Sequence, residues 1–359
     1  MNETSVTLPA SLAQRYELRR ELGQSQTARV FLCWDTYAER EVALRLGGAD
    51  VFQGGQDDAA ARKAWLSEVR MAVNIRHPYI AEIYDAGFSD GLPFVVGEYF
   101  AGGSVSNYCR PLRLLPVTEV LEIIHKCASA LEHARQTGML HRHIRPENIF
   151  AIGRGQAKIA DFAASHWWAG ASLSASLQQL APELLNGAVP SMQSDIYALG
   201  TVLYQLLLGR PPYAAHDPAA LREQIQAGQR LALWQLRPEL PVSIDEVMGR
   251  MLAINPEERY RNWLEVLVAL SECSAGLVGV SAVSDRPSDA EIYESLRALP
   301  LFSRMNSTEI WELIGISQWR NAPAGTLLLR EGDPASSCYM LLRGEGRVTR
   351  EGRLIAFLD

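Results

Sequence analysis

The chain has 359 residues, of which 48% are hydrophobic and 21% are charged, and its formal net charge is −7. This length exceeds what one hydrophobic core usually supports, so we expect a main domain and a smaller one. The composition excludes a collagen-like, disordered or disulfide-rich chain, and the mixed charges form no basic footprint for nucleic acid. We therefore expect a globular protein without a nucleic acid partner.

Cysteine usage and hydropathy indicate the compartment. The five cysteines are odd in number and far apart, and no two of them have Cys-x-x-Cys spacing, which disfavours a disulfide framework or a zinc site. The N-terminus lacks the basic and apolar segments of a signal peptide. The longest weakly polar stretch, 275–283, is shorter than the ~20 residues that a membrane helix needs. We expect a cytoplasmic protein with no membrane association.

The first part of the chain predicts a small antiparallel sheet with one helix. Short β-type runs bounded by turn residues predict five strands, at 16–22, 29–35, 41–46, 80–88 and 93–100. Between the third and fourth runs, apolar residues at helical spacing predict a helix over 60–75.

From Thr118 onward the pattern is mainly helical. Apolar periodicity and Gly or Pro stops predict helices over 118–138, 194–208 and 243–252. Residues 271–288 are rich in Ser, Gly and Val, which is typical of a linker. After it, 289–316 predicts further helix, and short strands alternate with glycine turns from Thr326.

Four motifs occur in a fixed order: LHRHIRPENIF at 140–150, KIADFA at 158–163, APE at 181–183 and SDIYALG at 194–200. They resemble the catalytic loop, metal-binding DFG motif, APE motif and central helix of protein kinases of the Ser/Thr type. The resemblance spans residues 16–270. It implies an α+β fold with a small β-rich N-lobe and a larger helical C-lobe.

The resemblance implies ATP and Mg²⁺ as cofactors and a protein as substrate or partner. Asn148 and Asp161 match the family's two metal ligands, and Glu68 matches the helix glutamate that holds its phosphate-binding lysine. Nucleotide contacts are also implied at Gly23, Ser25, Val30, Ala43, Arg45, Glu98 and Phe100. We expect weak, magnesium-dependent nucleotide binding.

Several of these positions depart from the family pattern. Arg45 replaces the phosphate-binding lysine; it can pair with Glu68 but is bulkier where phosphates lie. Ser25 and Ala28 replace two glycines of the phosphate-binding loop, and each added Cβ hinders close approach of amides to phosphates. Ala163 replaces the glycine of DFG, which leaves the metal ligand unchanged.

The catalytic loop departs furthest. His143 replaces the aspartate that accepts the substrate proton, and Arg145 replaces the lysine that contacts the transferred phosphate. An imidazole can act as a base but carries no fixed negative charge, and losing a positioned base costs about 10²–10⁴ in rate. His143 is either a structural histidine or a weak base.

Three other positions concern the fold. Glu183 should pair with Arg259, and Asp195 should bond the catalytic-loop backbone, as in the family. Gly97 stands where a bulkier side chain usually closes the adenine pocket. It implies either an enlarged pocket or a bulge with close backbone packing.

Residues 289–359 resemble the first half of a cyclic-nucleotide-binding domain, through REGDP and the spacing that follows Tyr339. The family's phosphate-binding turn would lie beyond residue 359, so we expect a truncated domain with no cyclic nucleotide site. A half β-roll leaves unpaired edges, which implies completion by more chain, a partner or self-association.

Three functions are compatible with these residues. The first is a pseudokinase that binds a nucleotide and acts by conformation and protein interaction. The second is a weakly active Ser/Thr kinase that uses Asn148, Asp161 and His143. The third is a cyclic-nucleotide-gated module, which lacks its phosphate-binding turn.

Overall fold

The computed structural model describes residues 8–25, 27–48, 58–153, 156–162, 177–215, 217–228, 230–277 and 289–302, and short stretches between 304 and 358. The chain divides into two compact units, Met1–Ser281 and Ala282–Asp359. Within the described residues, no helix combines the length and apolar character of a membrane span.

The first lobe of the larger unit is a five-stranded antiparallel sheet. A short helix α1 (Ala10–Ala13) precedes it, and its strands follow in the order β1-β2-β3-β5-β4. The strands are β1 (Tyr16–Gln24), β2 (Ala28–Asp35), β3 (Arg40–Gly47), β4 (Ile83–Ser89) and β5 (Leu92–Glu98). Helix α2 (Asp58–Asn74) lies between β3 and β4 in sequence. The predicted sheet and its helix are therefore present, with ends displaced by a few residues.

The sheet lobe begins earlier than predicted. Leu8 and Leu12 are buried and pack with Tyr16, Phe31 and other apolar residues of the sheet. Burial of these two leucines removes apolar surface from water, so residues 8–13 are part of the lobe.

The second lobe is mainly helical. It contains α3 (Val117–Gln136), the hairpin β6 (Ile149–Gly153) and β7 (Gln156–Ile159), α4 (Pro182–Leu185), α5 (Met192–Leu208), α6 (Pro218–Gln226), α7 (Leu233–Leu236), α8 (Val242–Met251) and α9 (Trp263–Leu277). One apolar core joins α2, α3, α5, α8 and α9. The β-rich lobe and the helical lobe together give the two-lobed kinase fold.

Helix α5 is the most buried element of this lobe. Ser191 caps its N-terminus by accepting from the Ser194 backbone N–H, and Gly209 ends it with a φ of 69°. A side chain is strained at that φ, and a Cβ on Gly209 would also lie 2.4 Å from the Pro111 nitrogen. The predicted helix over 194–208 is therefore present, with the glycine stop that its sequence indicated.

The predicted linker requires a correction. Helix α9 continues to Leu277, and both Cys273 and Leu277 are buried, so the first part of 271–288 is helical. Serine and glycine are tolerated there because apolar residues at helical spacing pack on the core. Residues 278–288 lie outside the described residues.

The smaller unit begins with α10 (Asp289–Ala298), and its Leu296 packs with Ile310 and Ile314. Near the end of the chain, β8 (Gly346–Arg350) and β9 (Arg353–Leu358) form an antiparallel pair. A single pair of strands does not define a β-roll, so the partial cyclic-nucleotide-binding fold stays a prediction.

Candidate functional site

A cavity of about 530 Å³ lies between the sheet lobe and the helical lobe. Its lining comes from β1 to β5, α2, the segment that follows β5, the catalytic loop, β6 and the start of the DFG motif. The predicted site residues that line it are Gly23, Ser25, Val30, Ala43, Arg45, Glu98, Phe100, His143, Arg145, Asn148 and Asp161. Glu68 is the predicted residue that is not in this lining.

One end of the cavity is aromatic and apolar. The rings of Phe100 and Phe150 stack with centroids 4.8 Å apart, and Val30 and Ala43 also line the cavity. Such walls suit a flat heteroaromatic ring, which gains from burial and from offset stacking. Phe150, the last residue of the catalytic-loop motif at 140–150, was not predicted as a site residue.

Glu98 pairs with Lys158, a contact that the sequence did not predict. Lys158 Nζ donates to Glu98 Oε1 and Oε2, each at 2.7 Å, and both side chains are largely buried. The backbone N–H of Glu82 donates to the same carboxylate at 3.2 Å. Glu98 therefore ties β5 to β7 of the helical lobe, and its carboxylate faces protein groups.

Gly97 lies at a point of close backbone approach. It pairs with Ala43 on β3 and Ile83 on β4, next to a register shift between Ile83 and Asp85. A Cβ on Gly97 would lie 2.9 Å from the carbonyl oxygen of Glu82. Of the two interpretations from the sequence, the bulge with close packing describes this geometry.

The tip of the phosphate-binding loop is closed by its own serine. Ser25 Oγ accepts hydrogen bonds from the backbone N–H groups of Ala28, at 3.0 Å, and Thr27, at 3.4 Å. The Ser25 N–H also donates to the Ala28 carbonyl at 2.8 Å. Two amides of the loop are therefore bonded to a side chain at the place where related loops offer amides to phosphates.

The catalytic loop is held by Asp195 from helix α5. The backbone N–H groups of His141 and Arg142 donate to its two carboxylate oxygens, at 2.9 and 2.8 Å. Burial raises the pKa of Asp195 to about 6, while these two donors favour the ionised form. Arg142 has a φ of 62°, a strained conformation that the bonds to Asp195 hold in place. The predicted role of Asp195 is confirmed.

His141 fixes the start of the loop as a neutral imidazole. Its Nε2–H donates to the Ala160 carbonyl at 2.9 Å, and its Nδ1 accepts from the His143 N–H at 3.2 Å. Burial, together with His143, lowers the pKa of His141 to about 4. Its ring also lies 4.5 Å from that of Phe162, so the catalytic loop and the DFG motif are packed together.

His143 is bonded to the two predicted metal ligands. Its Nδ1 lies 3.1 Å from Asp161 Oδ2 and 3.0 Å from Asn148 Nδ2. Because a carboxylate only accepts, Nδ1–H donates a hydrogen bond to Asp161, and the contact of Nδ1 with the Asn148 Nδ2 donor is then not a hydrogen bond. Asn148 Nδ2 donates to the His143 carbonyl at 2.9 Å and to Asp161 Oδ2 at 3.2 Å. Burial lowers the pKa of His143 despite the hydrogen bond to Asp161, which favours a neutral ring.

Arg45 contacts the same carboxylate from β3. Its Nη1 lies 2.6 Å from Asp161 Oδ1, and the exposed fractions of the two side chains are 22% and 10%. Burial alone would raise the pKa of Asp161, but Arg45 and His143 hold this pKa well below its usual range. Glu68 has an ion pair with Arg142, at 3.1 Å. The predicted pairing of Arg45 with Glu68 stays a prediction.

Arg145, at the position of the family's catalytic-loop lysine, also lines the cavity. Its Nε donates to Glu147 Oε2 at 2.6 Å. Arg145 therefore places a guanidinium beside the catalytic loop, where it can supply positive charge to a phosphate.

The arrangement of Asp161 and Asn148 does not fit a magnesium ion. Mg²⁺ needs oxygen ligands at about 2.0–2.1 Å. One oxygen of Asp161 holds the Arg45 guanidinium, and the other accepts from His143 and Asn148. A metal ion on either oxygen would face a guanidinium at short range. Within the described part of the chain, no group of three or more His, Cys, Asp and Glu residues is arranged to hold a metal.

Two further predictions concern the helical lobe. Arg259 donates to both carboxylate oxygens of Glu183 at 2.8 Å, so the predicted ion pair is confirmed. Ala163, and the serines Ser172, Ser174 and Ser176 between the DFG and APE motifs, lie outside the described residues.

Comparison with known proteins agrees with this geometry. The family model for the protein kinase domain matches residues 16–268. The serine/threonine-protein kinase PknB of Mycobacterium leprae is 29% identical over 282 residues, which cover 76% of this chain and 45% of the relative. A probable serine/threonine-protein kinase of Streptomyces coelicolor is 30% identical over 287 residues, covering 76% and 42%.

The serine/threonine-protein kinase PrkC of Bacillus subtilis is 29% identical over 255 residues, covering 69% of this chain and 39% of the relative. The chain thus spans less than half of the length of these curated relatives. The match to the family model covers more than two thirds of the chain, and it includes every element that lines the cavity. The chain belongs to the protein kinase family, and its relatives are bacterial serine/threonine-protein kinases.

Proposed function

We propose that the chain is a kinase-like signalling protein that binds a nucleotide in the cleft and acts by conformation and protein contacts. In this proposal it is a pseudokinase. The observation that carries the proposal is the position of His143, where the family has its proton-accepting aspartate. The imidazole is buried and is bonded to Asp161 at 3.1 Å.

A catalytic base must reach the proton it removes, within about 2.6–3.2 Å or through one water. The buried His143 directs Nδ1 to Asp161, and as a neutral ring it lacks the negative charge that an aspartate would place beside a substrate hydroxyl. Its loss as a base would remove a factor of about 10²–10⁴ in rate. These features support weak or absent phosphoryl transfer.

The nucleotide part of the proposal is supported by the other end of the cleft. The stacked rings of Phe100 and Phe150 and the apolar side chains of Val30 and Ala43 suit adenine, and Arg45 and Arg145 lie at the phosphate end. The groups that recognise a ring and an anion are thus present in one cavity. This favours a nucleotide over a peptide segment as its ligand.

One observation favours the second candidate, a slow Ser/Thr kinase. Asp161 accepts from His143 Nδ1–H, and a carboxylate that orients an imidazole in this way can leave its other nitrogen as a base. In that case His143 would remove the proton from a substrate hydroxyl, and turnover would depend on its imidazole.

The two candidates differ in a phosphotransfer assay with labelled ATP. The unmodified chain is incubated with a generic basic protein, and Asp161→Asn is the blank. The pseudokinase proposal expects incorporation at or near the blank, with no change in His143→Ala. Clear turnover that is lost in His143→Ala would overturn it and favour the slow kinase.

We also propose that the smaller unit is a partial cyclic-nucleotide-binding-like domain that contributes to self-association. Its exposed apolar side chains support this, because large exposed apolar surfaces are typical of interaction sites. They include Leu327, Leu328, Leu329, Met340 and Ile355. Light scattering should detect a dimer or larger assembly, and cyclic AMP should give no thermal shift. A monomer at all concentrations would contradict self-association. Tight cyclic AMP binding would contradict the expected lack of a cyclic nucleotide site.

A further inference from the structure

We infer that the cleft binds its nucleotide without a divalent metal ion, and that the Arg45 guanidinium is the cation that neutralises the phosphates. The inference rests on the proposed nucleotide binding. It specifies the ligand further, as a nucleoside polyphosphate without a bound metal ion. It also reverses the magnesium dependence that the sequence alone predicts.

The first argument is where Arg45 lies. It occupies the middle of β3, between Val30 on β2 and Val95 on β5, so the backbone at this position is held on both sides. From there its guanidinium reaches Asp161 Oδ1 at 2.6 Å while part of the side chain lines the cavity. A fixed positive charge therefore lies beside the residue that would otherwise bind a metal.

Both carboxylate oxygens of Asp161 are already satisfied by protein groups. Asp161 Oδ1 holds Arg45, and Asp161 Oδ2 accepts from His143 and Asn148. Asn148 directs its Nδ2 donor to this carboxylate, so the atom that faces Asp161 is not the amide oxygen that a metal ion would need. To bind Mg²⁺, the site would have to lose these contacts and accept a divalent ion beside a guanidinium.

The number of carboxylates near Asp161 also disfavours a divalent metal ion. With His143 in place of an aspartate, the catalytic loop has one carboxylate fewer beside Asp161, and its remaining carboxylate, Glu147, pairs with Arg145. Hard divalent ions owe much of their affinity to carboxylate charge, so the substitution weakens the site. The same substitution makes the phosphate end less negative, which favours a ligand that brings its own negative charge.

The guanidinium of Arg45, which would take the place of the metal ion, suits phosphate oxygens. A guanidinium has five N–H donors in a planar fork that matches phosphate oxygens, and it keeps its charge at any physiological pH. Since Ser25 Oγ accepts from the amides of Thr27 and Ala28, phosphate binding depends more on side chains than on the loop backbone. Three arginines line the cavity among the described residues: Arg45 contacts Asp161, Arg145 belongs to the catalytic loop, and Arg20 donates to the Tyr99 hydroxyl.

The test is the affinity of the full chain for ATP, measured by titration calorimetry in excess EDTA and again in excess Mg²⁺. We expect binding in EDTA, with a Kd that Mg²⁺ does not improve. If ATP binds only in Mg²⁺, the inference is wrong but the nucleotide-binding function stands. If ATP binds in neither buffer, both are wrong.

Variants assign the effect to Arg45. Arg45→Ala should weaken ATP binding in EDTA by about tenfold or more, as expected for loss of charge-assisted hydrogen bonds. Adenosine, which carries no phosphate, should bind Arg45→Ala and the unmodified chain equally, and this also shows that the variant is folded. Arg45→Gln, which keeps most of the side-chain length, provides a second reading if Arg45→Ala does not fold.

The matched control is Arg19→Ala, which removes an exposed arginine on β1 that pairs with Glu17 outside the cavity. It should leave the affinity for ATP unchanged in both buffers. In Arg45→Ala, added Mg²⁺ should restore ATP binding in part, because Asp161 Oδ1 is released. Equal ATP affinity of Arg45→Ala and the unmodified chain in EDTA would overturn the inference.

Discussion

The Arg259 guanidinium donates from Nη1 and Nη2 to the two carboxylate oxygens of Glu183, each at 2.8 Å, and its side chain is fully buried. It also donates to the backbone carbonyls of Ala253, Gln193 and Ile254. Removing the carboxylate would leave a buried positive charge without its counter-ion. We expect Glu183→Ala to lower the free energy of unfolding by about 3–5 kcal/mol, measured by urea denaturation.

The control for this prediction is Glu17→Ala, which breaks the exposed pair between Arg19 and Glu17. Exposed pairs contribute about 0–1 kcal/mol, so the midpoint should hardly move. Equal effects of the two substitutions would contradict a structural role for the Glu183 pair.

The same pair predicts a dependence of stability on pH. Burial opposes ionisation of Glu183, but the bonds from Arg259 and Ser194 hold the pKa of its carboxyl below its ordinary value of 4.5. Its stabilising contribution is therefore complete above pH 4.5 and is lost as the pH falls toward the lower folded-state pKa. In Glu183→Gln, the urea midpoint should fall less steeply below pH 4.5 than in the unmodified chain. Identical acid profiles would contradict this assignment.

The fold, the Glu183–Arg259 pair and the bonds of Asp195 to the catalytic loop could be predicted, because each depends on local patterns or on motif positions. Helical periodicity and a glycine stop defined α5, and the motif positions of Glu183, Arg259 and Asp195 defined their partners. For these contacts the resemblance to protein kinases implied the partner by motif position, so the sequence was sufficient.

The remaining contacts of the site depend on side-chain directions that no sequence pattern specifies. The sequence offered Glu68 as a partner for Arg45, which stays a prediction, and it did not indicate the ion pair that Arg45 has with Asp161. Lys158 and Glu98 are 60 positions apart and meet because β5 and β7 come together in the fold. A long charged side chain can reach several opposite charges, and the contact that it makes depends on burial in the folded cleft.

Gly97 provides a test of the close packing behind the adenine end of the cavity. A Cβ there would lie 2.9 Å from the Glu82 carbonyl, which also accepts the Glu98 N–H at 2.9 Å. Gly97→Ala should therefore destabilise the protein by about 1–3 kcal/mol, as expected for overpacking. The melting temperature measures the effect.

Gly87→Ala on β4 is the matched control, because its nearest contact would be a Phe94 ring carbon at an ordinary 3.5 Å. It should change the melting temperature by much less than Gly97→Ala. If Gly97→Ala melts at the same temperature as this control, the close approach to the Glu82 carbonyl does not restrict the side chain at position 97.

Ser25 predicts how the phosphate-binding loop limits affinity. Ser25→Gly removes the oxygen that accepts from the N–H groups of Thr27 and Ala28, so these amides can turn to a phosphate. The affinity for ATP should rise by about threefold to tenfold, which corresponds to one hydrogen bond, while adenosine binding stays the same. Titration calorimetry measures both ligands. Ser25→Thr keeps the hydroxyl and should retain the original affinity, and a rise in Ser25→Thr as large as in Ser25→Gly would contradict the explanation.

His143 and Arg45 together predict how much catalysis can be restored. His143→Asp replaces a neutral ring with a carboxylate beside Asp161, which supplies a proton acceptor and the second negative charge that a metal ion needs. Arg45→Lys replaces the guanidinium on Asp161 with a smaller ammonium. Each substitution alone should raise phosphate incorporation only slightly above the Asp161→Asn blank. His143→Asp alone should fall short of the about 10²–10⁴-fold that a positioned base contributes, since Arg45 still holds Asp161.

The double substitution should exceed the combined gains of the two single ones, because groups that act as a unit are not additive. Autophosphorylation and transfer to a generic basic protein, each with labelled ATP and Mg²⁺, measure the rate. Mg²⁺ should now strengthen ATP binding by the double variant, in contrast to the unmodified chain, because two carboxylates face the phosphates and the bulky cation is gone. If the double variant is folded and binds ATP but remains at the level of the blank, these two positions do not account for the loss of catalysis. The cause would then lie elsewhere in the cleft, first of all in the loop that Ser25 closes.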